Sequence, residues 1–184
     1  MKKTVKIILS LALTLASNLM ARLDGKVPYA ISPGNHDYYA PRSPYALDRW
    51  PDNVHIFRTP TPRYVDMEEL GVRVWGAGFT SPYCDGLLSG FRGGRSGLTE
   101  LMVLHADLTG GRYCPITEDD IAASRLSYLA LGHVHSFSGI QRAGSTFYAY
   151  PGCLEGRGFD ETGEKGVICG TVGKGAADLR FVPL

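Results

Sequence analysis

Short apolar segments of β type, each ended by glycine, proline or another turn residue, follow one another along most of this sequence. Runs of about four to eight such residues are typical of strands. They occupy residues 27–32, 54–57, 63–67, 72–79, 101–104, 127–131, 139–142, 146–150, 167–172 and 178–182. The runs between residues 54 and 79 are separated by short turns, which favours antiparallel pairing. Thr117 with Asp120 three residues later is a capping-box pattern and predicts a helix to about Ser124.

Length and composition bound the class of protein. A chain of 184 residues can form one domain with a full hydrophobic core. Its residues are 44% hydrophobic and 20% charged, which excludes a disordered or coiled-coil protein. The net charge of +1 shows no general attraction for nucleic acid, although a local basic groove remains open. We therefore expect a compact α/β fold that is rich in strands and loops.

The first 20 residues combine two patterns. Three lysines precede an uncharged run over residues 7–20, which is typical of a secretory signal peptide and too short to cross a bilayer. The same residues also fit a strand over 5–9 and a helix that ends near Leu23. We divide the chain into an N-terminal strand and helix, or signal-like segment, at 1–23 and a globular domain at 24–184. No membrane partner is expected.

The cysteines indicate the cellular compartment. Cys84, Cys114, Cys153 and Cys169 show no C-x-x-C spacing, so neither a zinc knuckle nor a redox dithiol is indicated. We expect reduced thiols in a cytoplasmic protein. Secretion is the alternative, if residues 1–21 are a real signal peptide.

Four of the five histidines lie where an apolar segment ends. His105, His133 and His135 each follow such a run, and His36 follows a turn. Residues i and i+2 of an extended segment project to the same face, so the two histidines of the H-V-H segment can approach one centre. Imidazole is the commonest protein metal ligand, and the amide oxygen of Asn35 is a suitable donor beside it. One strand-end histidine is more often structural and an H-x-H pair occurs by chance, but together these residues predict a metal site.

Three motifs resemble those of the calcineurin-like metallophosphoesterases: GNHD at 34–37, LHA at 104–106 and GHVH at 132–135. The segment YLALGHVH, together with residues 150–166, is similar to the bacterial DNA-repair exonuclease branch, the nuclease subunits of the SbcD/Mre11 type. The resemblance implies an α/β sandwich of two mixed β-sheets flanked by helices. It also implies a metal-dependent phosphoesterase that hydrolyses phosphodiester bonds through a metal-activated water.

The same resemblance implies roles for individual residues. Asn35, His105 and His133 would ligate one divalent metal ion, usually manganese in this family, and His135 would ligate a second. His36 would be the catalytic residue that stabilises charge at the phosphorus or protonates the leaving oxygen. The implied partners are DNA and an SMC-like ATPase subunit, with a homodimer as a further option.

Two motifs of this family are missing from the sequence. The family pattern opens with D-x-H and continues with a G-D pair whose aspartate bridges both metals, whereas residues 1–33 contain one acid, Asp24, and no histidine. We expect a segment before GNHD to have been lost, which leaves an N-terminally incomplete sheet. Such a chain would hold at most one metal ion weakly and turn over slowly. The alternative is a truncated or degenerate non-catalytic homologue that binds at most one metal ion or a partner protein.

Further side chains near the motifs are open to two interpretations. Arg157 is a candidate substrate contact or part of a solvated loop. Arg92 and Arg95 lie in a glycine-rich loop and could pair with phosphates or only solubilise the loop. Asp37 is expected to orient its loop or His36 rather than to bind metal.

Overall fold

The computed structural model describes residues 16–22, 27–47, 49–156, 158 and 161–184. The strands in chain order are β1 (Tyr29–Ile31), β2 (Val54–Ile56), β3 (Arg63–Met67), β4 (Val72–Ala77), β5 (Thr99–His105), β6 (Tyr128–Gly132), β7 (Gln141–Ala143), β8 (Thr146–Ala149), β9 (Gly166–Gly173) and β10 (Ala176–Pro183). The helices are α1 (Pro44–Leu47), α2 (Glu118–Ser124) and a 3-10 helix, Glu68–Leu70, and residues 16–21 are also helical.

A six-stranded mixed sheet forms the centre of the described structure. Its strand order is β3-β4-β5-β6-β8-β7. Strands β4, β5, β6 and β8 are parallel, and the two edge strands are antiparallel to their neighbours. At the carboxyl edge, His105 of β5 lies opposite Gly132 of β6 in register. Loops that follow parallel strands gather at one edge, so this edge is where the motif residues can meet.

Two small sheets accompany the central one. Strands β1 and β2 pair in parallel, and β9 pairs with β10 antiparallel. The expected antiparallel pairing is correct for β3 with β4 but wrong for β2. A parallel pair needs a long crossover connection, which the chain between β1 and β2 supplies with α1.

The predicted α/β class is confirmed, with more strands than helices in the described ranges. The chain that leaves β2 packs directly on the central sheet, because a Cβ at Gly76 of β4 would lie 2.2 Å from the Phe57 ring. The sandwich of two mixed sheets stays a prediction. Among the described residues, the six-stranded sheet is mixed, whereas β1–β2 is purely parallel and β9–β10 purely antiparallel.

Alternating burial along β5 sets which side chains enter the core. Every second residue from Glu100 to Leu104 is buried, as the two-residue period of a strand requires. Met102 and Leu104 join the buried leucines of β6 in one apolar cluster, and Ile121 of α2 packs into the same cluster. This apolar cluster fixes β5 and β6 against each other, and so fixes the positions of their carboxyl ends.

Helix α2 begins as the sequence predicts. The Thr117 hydroxyl accepts a hydrogen bond from the Asp120 backbone N at 3.1 Å, and the Asp120 carboxylate accepts one from the Thr117 backbone N at 3.0 Å. A capping box of this kind stabilises a helix start by about 1 kcal/mol.

The N-terminal predictions are tested in part. The helix over 16–21 and the turn at Arg22 agree with the helix expected to end near Leu23. The strand predicted over 5–9, the signal-like interpretation and the boundary between residues 23 and 24 lie outside the described residues. In the described ranges, no helix is both long and apolar enough to span a membrane.

Candidate functional site

The GNHD loop is held in place by backbone and carboxylate hydrogen bonds. The Phe79 N after β4 donates to the Pro33 carbonyl at 3.0 Å, which fastens the loop to the central sheet. The Asp37 carboxylate accepts a hydrogen bond from the Gly34 N at 2.9 Å and another from the Tyr45 hydroxyl. Asp37 therefore orients the loop that presents the next residues to the carboxyl edge.

Asn35, His105 and His133 meet at this edge. The Asn35 Oδ1 lies 2.8 Å from the His105 Nε2, and the same His105 Nε2 lies 3.2 Å from the His133 Nδ1. The centroids of the two histidine rings are 5.1 Å apart. Asn35 is 7% exposed, so its amide is largely withdrawn from water. Three atoms able to ligate a metal ion thus converge from three separate segments of the chain.

Close packing fixes the His105 ring. The edge of Phe79 packs against it, with ring centroids 5.4 Å apart. A Cβ at Gly34 would lie 2.5 Å from the His105 Nδ1, and a Cβ at Gly132 would lie 3.3 Å from the same atom. The glycine of GNHD is therefore required because the imidazole occupies the space of its missing side chain.

The site keeps its imidazoles neutral. Burial, together with the neighbouring His133, lowers the pKa of His105 to about 4. Burial also lowers the pKa of His133; the Asp107 carboxylate opposes this shift, and nearby His135 and His36 reinforce it. Both rings are uncharged at neutral pH, which is the form that can coordinate a metal ion.

The remaining predicted site residues lie at the rim or outside the described ranges. His36 is exposed, and the His135 side chain is 57% exposed. The His135 Nδ1 pairs with a carboxylate oxygen of Glu161. Arg157 lies outside the described residues. The structure therefore brings Asn35, His105 and His133 into contact and leaves His36 and His135 facing solvent.

Asp107 is a neighbour of the site that the motif analysis missed. It is 3% exposed, and its Oδ2 lies 3.8 Å from the His133 Nε2. Thr109 donates two hydrogen bonds to its carboxylate and the Gly111 N donates a third. Burial alone would raise the pKa of Asp107, but these hydrogen bonds hold it below its usual value. An ionised carboxylate therefore faces one nitrogen of His133 while the other nitrogen faces His105.

A signal for Asp107 was present in the sequence. It follows His105 by two positions, and alternate residues of an extended segment share a face. Carboxylates commonly hold the second nitrogen of a metal-binding histidine and so fix its ring. The spacing alone could not show that the carboxylate approaches His133 from another strand.

His133 has an unusual backbone. Its φ is 120°, a region that residues with a side chain rarely adopt. Such conformations cost about 1–3 kcal/mol and persist where the surroundings enforce them, often at functional sites. Here Tyr113 packs against the ring, with centroids 5.3 Å apart.

The donor set fits one divalent cation. An amide oxygen and two neutral imidazole nitrogens, spaced 2.8 and 3.2 Å apart, have the spacing of donors on a common ion, since ligands at about 2.1 Å from a metal lie about 3 Å from each other. All three donors are neutral. In the described part of the chain, no three or more His, Cys, Asp or Glu side chains are arranged to hold a metal ion.

Comparison with known proteins supplies a relative. No protein-family model matches the chain. The uncharacterized metallophosphoesterase YhaO of Bacillus subtilis (strain 168) is 30% identical to it in an alignment of 156 positions, which covers 80% of this chain and 38% of the relative. The chain is a distant homologue of a metallophosphoesterase.

This homology supports the coarse assignment made from the motifs. The metallophosphoesterase family, its fold and its use of divalent metal ions are therefore a proposal for this chain that the similarity supports. The chain spans about two fifths of the length of the relative that it matches. The nuclease activity, the DNA-repair branch and the use of manganese stay predictions.

Proposed function

We propose that this chain is a metal-dependent phosphoesterase of the DNA-repair exonuclease type, which hydrolyses phosphodiester bonds with reduced turnover. The observation that carries the proposal is the meeting of the Asn35 Oδ1, the His105 Nε2 and the His133 Nδ1 at one sheet edge. Its support is that this meeting occurs in a distant homologue of a metallophosphoesterase.

The protein's own residues prepare the site for a cation. Asn35, His105 and His133 would hold one divalent ion, for which manganese is our proposal. When bound, such an ion supplies Lewis-acid polarisation of a phosphoryl oxygen and lowers the pKa of water. Asp107 keeps the His133 Nδ1 directed at His105, and Gly34 leaves room for the His105 ring.

The exposed histidines have proposed roles at the rim. His36 lies where a substrate in solution can reach it, and we assign to it the protonation of the leaving oxygen or the stabilisation of charge on phosphorus. In the complete family site His135 would ligate a second ion, which we do not expect this chain to hold. Glu161 occupies its Nδ1, which leaves the Nε2 for that purpose.

Charge supports the reduced turnover. Two divalent cations a few ångströms apart repel strongly, and a bridging carboxylate normally offsets that repulsion. The three donors that meet here are neutral and offer no such offset. We therefore propose that one ion is held, and held weakly.

The proposal extends to substrate and partners. The substrate is DNA, with Arg157 as a phosphate contact, and the partner is an SMC-like ATPase subunit, with a homodimer as a further assembly. The location is the cytoplasm, with secretion as the alternative if residues 1–21 act as a signal peptide.

A metal titration combined with two substrates tests the proposal. Metal-free protein is titrated with Mn²⁺ by calorimetry and then assayed on bis-(p-nitrophenyl) phosphate and on linear DNA. We expect one ion per chain that dialysis removes, and slow hydrolysis of both substrates. His105→Ala and His133→Ala should abolish binding and hydrolysis.

The fifth histidine provides the matched control. His55 packs on Phe57, with ring centroids 4.7 Å apart, and is not one of the three donors. His55→Ala should retain Mn²⁺ binding. Two tightly held ions with fast turnover would contradict the reduced activity, and a folded protein that binds no Mn²⁺ would contradict the metal centre.

A non-catalytic homologue is the second candidate, and the neutral donor set favours it. Such a protein would bind one ion and hydrolyse neither substrate at any Mn²⁺ concentration. Saturating Mn²⁺ therefore separates the two candidates, because a weakly held catalytic ion restores hydrolysis and a non-catalytic site does not.

A further inference from the structure

Two cysteines that lie 30 positions apart in the sequence are neighbours in the structure. The Cys114 N donates to the Cys84 carbonyl at 2.9 Å, and Cys84 forms a parallel β-bridge with Tyr113. Both thiols are free. Backbones joined by a β-bridge lie about 5 Å apart, and the residue next to the bridge, Cys114, donates its N–H to the Cys84 carbonyl, so the two Cα atoms lie within the range of separations that a disulfide spans.

The two thiols differ in access to solvent. Cys114 is fully buried, and its Sγ accepts a hydrogen bond from the Leu87 N at 3.3 Å. Cys84 is half-buried and lines a cavity of about 480 Å³, whose wall includes Arg112. A small oxidant that enters this cavity reaches Cys84 before it reaches Cys114.

The two thiols also differ in reactivity. Its interaction with Cys114 lowers the pKa of the Cys84 thiol, whereas the interaction with Cys84 and burial raise the pKa of Cys114. The thiolate is the reactive form of cysteine, so the accessible member is also the more nucleophilic one. Solvent access and the lowered pKa both indicate that Cys84 reacts before Cys114.

We propose that Cys84 and Cys114 form an oxidisable thiol pair, in which a peroxide attacks at Cys84 and Cys114 resolves the product as a disulfide. The Cys84 thiolate attacks one oxygen of hydrogen peroxide, the O–O bond breaks, and the released hydroxide takes up a proton to leave as water. The sulfur of Cys114 then attacks the sulfenic sulfur, the S–O bond breaks, and a second water leaves. Two thiols lose two electrons and one peroxide gains them.

Peptide mapping tests the pair directly in the full chain. Trypsin places Cys84 in the peptide 74–92 and Cys114 in the peptide 113–125, and each contains one cysteine. After treatment of reduced protein with hydrogen peroxide, we expect these two peptides to be joined, with the loss of two hydrogens. Cys84 should be consumed about tenfold faster than the exposed Cys169.

Variants separate the two roles. Cys114→Ser should stop at a sulfenic acid on Cys84, which a 1,3-dione probe captures, and Cys84→Ser should leave Cys114 unreacted. Cys153→Ser is the matched control and should form the joined peptide at the original rate. Because the joined peptide is measured on the unaltered chain, poor folding of a variant does not affect the main result.

Two outcomes would contradict the proposed thiol pair. Oxidation of Cys169 or Cys153 while Cys84 and Cys114 stay reduced would overturn the proposal. A joined peptide that forms only between two molecules, in proportion to protein concentration, would overturn it as well. The pair is independent of metal binding and phosphoester hydrolysis, so its failure leaves the proposed function standing.

Discussion

Strand β5 carries a polar side chain at each end, and the two are satisfied in different ways. Near its start, Glu100 is 3% exposed, and its carboxylate accepts hydrogen bonds from the Trp75 Nε1 at 2.8 Å and the Ser96 N at 2.9 Å, among others. At its end, the His105 Nε2 contacts the side chains of Asn35 and His133. The same strand therefore carries one polar cluster built from hydrogen-bond donors to a carboxylate and another built from side chains that can ligate a metal ion.

The difference distinguishes a buried polar group that stabilises the fold from one that can bind a ligand. Backbone and indole donors surround Glu100 and are fixed by the fold. Its carboxylate therefore stabilises the loop that contains Ser96, whose backbone N–H donates to it. Burial would raise the pKa of Glu100, but these hydrogen bonds lower it to about 2. The two polar atoms that contact the His105 Nε2 can both ligate a metal ion. Side chains that satisfy one another in this way can exchange their mutual contacts for a shared ligand.

Among variants that keep all three donors, Gly34→Ala should have the largest effect. The new Cβ would lie 2.5 Å from the His105 Nδ1, so the ring must leave Asn35. We expect Mn²⁺ affinity and hydrolysis to fall about 100-fold or more. Gly132→Ala is the matched control, since its Cβ would lie 3.3 Å from the same atom and the ring can adjust. Equal affinities for the two variants would show that the His105 position does not govern the site.

Asp107→Asn should have a smaller effect on the same site. The amide keeps the size of the carboxylate but loses the charge that faces the His133 Nε2. We expect Mn²⁺ affinity to fall about tenfold, together with a change in the ¹⁵N shifts of the His133 ring that reports its tautomer. An unchanged tautomer with unchanged affinity would remove Asp107 from the positioning of His133.

Glu100→Gln should alter stability and leave the site intact. Its new amide NH₂ would face donors that now need an acceptor, so we expect the free energy of unfolding in urea at pH 7 to fall by about 1–3 kcal/mol. Mn²⁺ affinity of the folded protein should not change. A loss of affinity comparable with that of Gly34→Ala would break the distinction between the two ends of β5.

The stabilisation by Glu100 should also depend on pH. Its pKa is about 2 in the folded protein and 4.5 as the ordinary value, so the stabilisation is present above pH 4.5 and is lost as the pH falls toward 2. Over that interval the unaltered chain should lose roughly 2–3 kcal/mol more than Glu100→Gln. Parallel curves for the two proteins, measured by urea unfolding, would contradict this assignment.

Local signals made much of the fold predictable. Strand β3 spans Arg63–Met67 as expected, and the capping box at Thr117 begins α2. These features depend on residues close in sequence, whose preferences act before long-range contacts form. The parallel partner of β2 was not predictable, because it is chosen by a strand across a long connection.

The same limit applies to the site. The positions of Asn35, His105 and His133 after turns and apolar runs indicated that they could converge, because the ends of parallel strands share an edge. The pairing of Asp107 with His133 and the contact of Cys84 with Cys114 were hidden. Each depends on how two loops pack, which no spacing in the sequence encodes.

Asn35 and His105 lie 70 positions apart, and His105 and His133 lie 28 positions apart, so an unfolded chain has no preformed place for a cation. Any ion that occupies this place shifts the folding equilibrium by mass action, by about 2.7 kcal/mol at a free concentration one hundred times its dissociation constant. The thermal midpoint of the protein should therefore rise with added Mn²⁺, and a melting curve becomes a direct gauge of occupancy.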